Sequence, residues 1–297
     1  MNRLLGGNIL LSLGAAIMWG GGDFSGGMAV KRAGGSLDAA LRVVLLSHAS
    51  SFVVLLALAH LRGDATPHGA VLVWGIAAGV AGGGALTAFY IALSRGAMGA
   101  SAAVSGLLAA AIPALLTLWG QGSPGFSPLL GFAVAAVAIC LIAATPAAQA
   151  TNRKSRQTMA LAMLAGMGFG FYFVALKMSS PAGVLWPMAS ARIGSLGICS
   201  LMLLGTRIRP AKGDGVDLGL TRTSVAWALA TALLDTSGNL LFVAATRAGR
   251  LDVASVLASL YPATTILLAA FALGEWPTRR QAIGMAAAVM AVALIAL

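Results

Sequence analysis

Apolar runs long enough to cross a bilayer follow one another along almost the whole chain, separated by short polar breaks. A membrane-spanning helix needs roughly 20 predominantly apolar residues. On that criterion the pattern predicts ten helices: Asn8 to Val30, Leu37 to Leu61, Ala70 to Leu93, Met98 to Trp119, Pro128 to Ala147, Thr158 to Met178, Ala182 to Gly205, Ser224 to Ala245, Val253 to Leu273 and Gln281 to Leu297. The longest breaks, Ala148 to Gln157 and Thr206 to Thr223, are too short to fold as a soluble catalytic domain. The first run follows Arg3 as a signal peptide would, but it is too long for one, rich in glycine and interrupted by Asp23. The expectation is an all-α integral membrane protein with ten transmembrane helices.

The second half of the chain echoes the first. Gly131 to Ala143 lines up with Gly284 to Ala296, and Tyr90 to Arg95 with Phe242 to Arg247. Pro113 and Pro262 each fall inside an apolar run, and Arg42 and Arg192 sit early in the second helix of each half. The boundary lies near residue 150, which divides the chain into repeats at 1–150 and 151–297. Five helices per repeat is an odd number, so the second repeat is expected to cross the membrane in the opposite sense to the first. Inverted repeats of this kind build many secondary transporters, with the site near mid-membrane between the halves.

Composition sharpens the class. Of 297 residues, 59% are hydrophobic and only 9% charged, with a mean hydropathy of +0.92; soluble domains carry about 25% charged residues. The net charge of +11 would suit a nucleic-acid partner, but the Lys and Arg lie in short loops between apolar runs, where they act as topology signals. No nucleic-acid partner is expected. The partners expected are membrane lipids and a small-molecule substrate, and a monomer suffices if both repeats reside in one chain. The loops on one side hold most of the basic residues, among them Lys31, Arg32, Arg153, Lys154 and Arg156, against Arg3, Arg62, Arg247 and Arg250 on the other. The positive-inside rule places the richer side in the cytoplasm and both termini outside.

Motifs for other chemistries are missing from the sequence. Cys140 and Cys199 both lie inside apolar runs, without zinc-like spacing or a disulfide framework. There is no phosphate-binding Gly-x-x-x-x-Gly-Lys-Ser/Thr, no His-Glu-x-x-His zinc motif and no Gly-x-Ser-x-Gly nucleophile elbow. Neither an enzyme activity, nor a cofactor, nor a metal site is expected. The glycine steps Gly75, Gly79 and Gly83 instead suit close helix approach.

Polar groups inside the apolar runs are the candidate site. A charge at the bilayer centre costs at least ~2.5 kcal/mol, so such residues face the bundle interior. Asp235 lies mid-helix with Asn239 one turn on, and Asp23 shares a face with Trp19 by the same spacing. Either carboxylate could serve transport or a structural pair with Arg42, Lys177, Arg192 or a backbone amide. Ser105 and Ser259 could bind substrate through their hydroxyls or bond back to their own helices. Tyr90, Tyr172 and Tyr261 offer an apolar ring with a polar tip, which suits a cavity for amphiphilic small molecules and equally a membrane interface. Pro113 and Pro262 would kink their helices and free the carbonyls of Ala109 and Ala258. His48 reads as a satisfied packing residue.

The stretch Asp235 to Arg247, followed by Leu260-Tyr261-Pro262, Thr265, Leu273-Gly274-Glu275, Gln281 and Gly284, resembles the second-repeat signature of the drug/metabolite transporter superfamily in its ten-helix EamA-type branch. Trp19-Gly20 and Lys31 resemble the family's first helix, and Gly120-Gln121 stands where it often has Gly-Glu. The resemblance implies two five-helix repeats and a transport activity at the cell membrane, the bacterial inner membrane. Its members export amino acids, other metabolites or drugs, and an amino acid is the first expectation. It further implies a cavity lined by helices 1, 3, 4, 6, 8 and 9; from the polar and aromatic groups within the apolar runs, the substrate-binding residues expected there are Trp19, Asp23, Tyr90, Ser105, Tyr172, Asp235, Asn239 and Ser259. It also implies termini inside, the reverse of the loop charges.

Overall fold

The computed structural model describes the chain except for residues 1, 96, 97, 144–152, 209–218, 275 and 297. Among the described residues the regular elements are all helical. In chain order they are α1 (Asn2–Arg32), α2 (Leu37–Leu61), α3 (Gly69–Arg95), α4 (Met98–Gln121), α5 (Phe126–Ala143) and α6 (Arg153–Ser179). A single 3-10 turn (Ser180–Ala182) leads into α7 (Leu185–Ile208), followed by α8 (Arg222–Ala248), α9 (Leu251–Ala258), α10 (Pro262–Leu273) and α11 (Arg279–Ala296). Among the described residues seven spans are long and apolar enough to cross a membrane: those in α2, α3, α4, α6, α7 and α8, and the stretch Leu251–Leu273 that α9 and α10 make together. The apolar α5 is shorter. The remaining long helix, α1, is diluted by Gly20, Gly21, Gly22 and Asp23.

Turn chemistry separates the helices. After α1, Gly34 and Gly35 take positive φ, and the Ser36 hydroxyl then caps α2 by accepting from the Ala39 N–H at 3.1 Å. Thr221 caps α8 in the same way, through the Ser224 N–H.

The ninth predicted helix differs from its expectation. It begins at Leu251 and is interrupted at Ser259, Leu260 and Tyr261 before restarting at Pro262. Proline has no N–H to continue the ladder. The Ala258 carbonyl is not left free, however, because the Tyr261 N–H reaches it at 3.2 Å in a tightened turn. Pro113, by contrast, sits inside an uninterrupted α4.

Large apolar side chains point outward at many positions. Leu61, Trp119, Phe126, Leu233, Phe271 and Val289 are all highly exposed, a surface that only a lipid solvent tolerates on this scale. The interior is held by close backbone approach instead. At Gly79 of α3 an added Cβ would stand 1.8 Å from the Ala191 carbonyl oxygen, and at Gly194 of α7 it would stand 2.0 Å from that of Ile76. With lipid tails as apolar as leucine, such small-residue seams hold helices together by van der Waals contact.

Packing between the two halves is reciprocal. The first helix of the leading half, α1, packs against α8, and the first of the trailing half, α6, against α3; α2 meets α7, and α5 meets α11. In the last pair, Gly131 fits against Ala291 and Ile295, while Gly284 fits against Ala138 and Ile142.

Candidate functional site

The centre of the bundle holds a buried polar network built from four helices. Arg192 of α7 is 3% exposed, and its Nη2 donates to Asp235 Oδ2 of α8 at 2.6 Å and to Thr236 Oγ1 at 3.1 Å. Its Nη1 donates to His48 Nε2 of α2 at 2.8 Å. A nitrogen that accepts from a guanidinium must present its lone pair, which leaves the ring proton on Nδ1. That atom lies 2.6 Å from Ser195 Oγ and donates to it. On the other flank, Asn239 Nδ2 donates to the Asp235 carbonyl at 2.7 Å and to its Oδ1 at 3.0 Å. The Tyr172 hydroxyl of α6 closes the chain by donating to Asn239 Oδ1 at 2.7 Å.

Two adjoining cavities flank this network. One, about 30 Å³, is lined by His48, Arg192, Ser195, Tyr172 and Asp235 with the glycines of α3. The other, about 40 Å³, is lined by Trp19, Asp23, Phe173, Asn239 and Tyr261 among others. Both share Leu86, Phe169, Tyr172 and Asp235, so residues of both halves meet there. Sites for drug-sized ligands run to roughly 300–1,000 Å³, so each of these cavities is far smaller than such a site.

Aromatic rings wall the second cavity. Trp19 stacks on Phe173 with centroids 5.1 Å apart and planes 4° apart. Asp23 is 9% exposed. It makes no hydrogen bond or ion pair among the described residues, and it lies within electrostatic reach of Asp235.

The structure thus brings five of the sequence-derived candidates, Trp19, Asp23, Tyr172, Asp235 and Asn239, to the cavities. It places three others behind them. The Tyr90 ring packs on α1 at Gly26, with its hydroxyl buried and unpartnered. The Ser105 hydroxyl lies 2.6 Å from that of Tyr261, so α4 reaches the site through the tyrosine it supports. Ser259 is fully buried in the break between α9 and α10, its hydroxyl unpartnered. Of the structural pairs open to the carboxylates, Asp235 takes Arg192. The amine of Lys177 instead donates to the Thr246 carbonyl.

The sequence did not place Arg192 and His48 in the site, and Tyr261, a cavity candidate by its chemistry, was not among the substrate-binding residues expected. An arginine within an apolar run was the available signal for the first. Nothing local marked His48, whose role comes from an arginine 144 residues away. Glu275 lies outside the described residues. Among the described residues no cluster of His, Cys, Asp or Glu could hold a metal ion.

No curated protein sequence matches this chain. A solved structure, titled only as a crystal structure of a protein, superimposes with a TM-score of 0.70 at 16% identity, covering 97% of this chain and 95% of that one; at that identity the likeness establishes the fold. Residues 156–297 match the EamA-like transporter family. The second half of this multi-pass membrane protein, residues 156–297, is thus similar to the EamA-like transporter family.

Proposed function

We propose that the protein is a secondary transporter of ten membrane-spanning segments in two inverted five-helix repeats, which exports small metabolites, foremost amino acids, by alternating access through the central cavity. The observation that carries this reading is the reciprocal packing. Gly131 meets Ile295 and Gly284 meets Ile142, pairs that exchange when the aligned halves are exchanged, as an isologous two-fold contact requires. With α9 and α10 counted as one broken span, the helices divide five and five at residue 150.

The site fits that use. It is central, formed by both halves, polar within an apolar bundle, and too small as it stands to hold a metabolite. Opening to one side and then the other requires the repeats to rock about it. The substrate-binding residues are Trp19, Asp23, Tyr172, Asp235 and Asn239 at the cavity, with Tyr90, Ser105 and Ser259 behind it. The location is the bacterial inner membrane, and the chain acts as a monomer. A second reading, export of organic cations by the same fold, draws support from the unpaired Asp23.

The test is flux in liposomes reconstituted with the purified protein and screened with a panel of amino acids and organic cations. Saturable uptake with counterflow of one substrate supports the carrier. Non-saturating flux without counterflow, or no flux with any of them, contradicts it.

A further inference from the structure

The charges at the cavity do not balance. Asp235 is neutralised by Arg192 at 2.6 Å, and Arg192 is held in that position by His48 and Thr236. Among the described residues no second Lys or Arg lines either cavity. Among the described residues Asp23 has no hydrogen-bond or ion-pair partner; it is more than nine-tenths buried, facing a cavity whose other walls are mainly aromatic. An unpaired carboxylate in such surroundings is expensive, and the nearby Asp235 adds repulsion. The deficit is removed by one positive charge.

We propose that Asp23 is the subsite for a positively charged nitrogen, so that substrates are taken up through an ammonium group seated on this carboxylate. The proposal rests on the carrier reading of the cavity. Trp19, Phe173 and Tyr261 line the same cavity as the carboxylate, and a cation gains from aromatic surroundings what an anion loses. The hydroxyl of Tyr261 is occupied by Ser105 and the Ala102 carbonyl, which leaves its ring as the part offered to a ligand. Anionic substrates meet two carboxylates and a guanidinium whose two terminal nitrogens are already engaged. The ammonium can belong to an amino acid or to a simple organic amine, and the two differ only in what else they bring.

The experiment is equilibrium binding to the purified full chain in detergent by calorimetry, with four probes of matched size: phenethylamine, L-phenylalanine, 2-phenylethanol and 3-phenylpropionate. Phenethylamine should bind about tenfold or more tightly than the neutral alcohol, and 3-phenylpropionate should not bind. L-Phenylalanine binding as well as the amine identifies amino acids as the source of the ammonium; failure of the amino acid alone identifies organic cations. Asp23→Asn should remove the preference for the amine over the alcohol while Asp23→Glu keeps it, and the probe series on the unaltered protein stands even if a variant misfolds. The subsite is overturned if 3-phenylpropionate binds as tightly as phenethylamine, if Asp23→Asn leaves the preference intact, or if none of the four binds at millimolar concentration. Amine binding without counterflow in liposomes would overturn the carrier and spare the subsite. Saturable flux of an anion, unchanged in Asp23→Asn, would do the opposite.

Discussion

The guanidinium of Arg192 and the carboxylate of Asp235 meet at 2.6 Å across the interface of α7 and α8, with the arginine almost wholly buried. Removing one member of a buried pair strands the other charge and costs about 3–5 kcal/mol. Asp235→Ala and Arg192→Ala should therefore both lower the melting temperature and the yield of monodisperse protein. Arg192→Met combined with Asp235→Leu should recover much of the stability without recovering flux. Thermal melts of the three variants in one detergent decide this. A double variant as unstable as the singles would show that the pair is not the cause.

Asn239 tests the same network without a stranded charge. Asn239→Ala removes the acceptor of the Tyr172 hydroxyl and two donations to Asp235. Each lost hydrogen bond costs about 1 kcal/mol, so the protein should still fold while flux in liposomes falls. Flux equal to that of the unaltered protein would remove Asn239 from the site.

The α3–α7 seam makes a prediction with an internal control. Gly79→Ala forces a methyl group into the Ala191 carbonyl, and overpacking costs about 1–3 kcal/mol where the helices can yield. A Cβ at Gly84 on the same helix meets nothing within 4 Å, so Gly84→Ala should melt at or above the unaltered protein. Equal melting temperatures for the two variants would mean that the close approach contributes nothing.

The break between α9 and α10 is a candidate hinge. Pro262→Ala restores a backbone N–H that can continue the helix. Binding to the cavity should be retained while counterflow slows several-fold, since hinge positions absorb the backbone change of a cycle. Unchanged counterflow would reduce the break to a packing feature.

Orientation is decided by a C-terminal reporter active only in the cytoplasm. The richer loops, with Lys31, Arg32 and Arg156, place both termini outside by the positive-inside rule, so the expected signal is weak. A strong signal would reverse the side to which the cavity first opens.

Much of the architecture was legible in the chain because membrane insertion is a local matter. Each span must satisfy its own backbone and present apolar side chains, so hydropathy alone located α2, α3, α4, α6, α7 and α8. Glycine spacing likewise announced the α3 seam, because a missing side chain is visible without knowing its neighbour. The site is another kind of object. Asp23 and Asp235 look alike in sequence, each a lone carboxylate in an apolar run. Only the crossing of α7 over α8 gives Arg192 to one and leaves the other bare. His48 reads as packing until Arg192, 144 residues on, turns toward it. Tyr90, Ser105 and Ser259 carry suitable chemistry, but the packing of α3 and α4 and the break after α9 set them behind the cavity wall. Hydrophobicity is a property each residue brings with it; partnership between charges depends on distances that the folded bundle alone establishes.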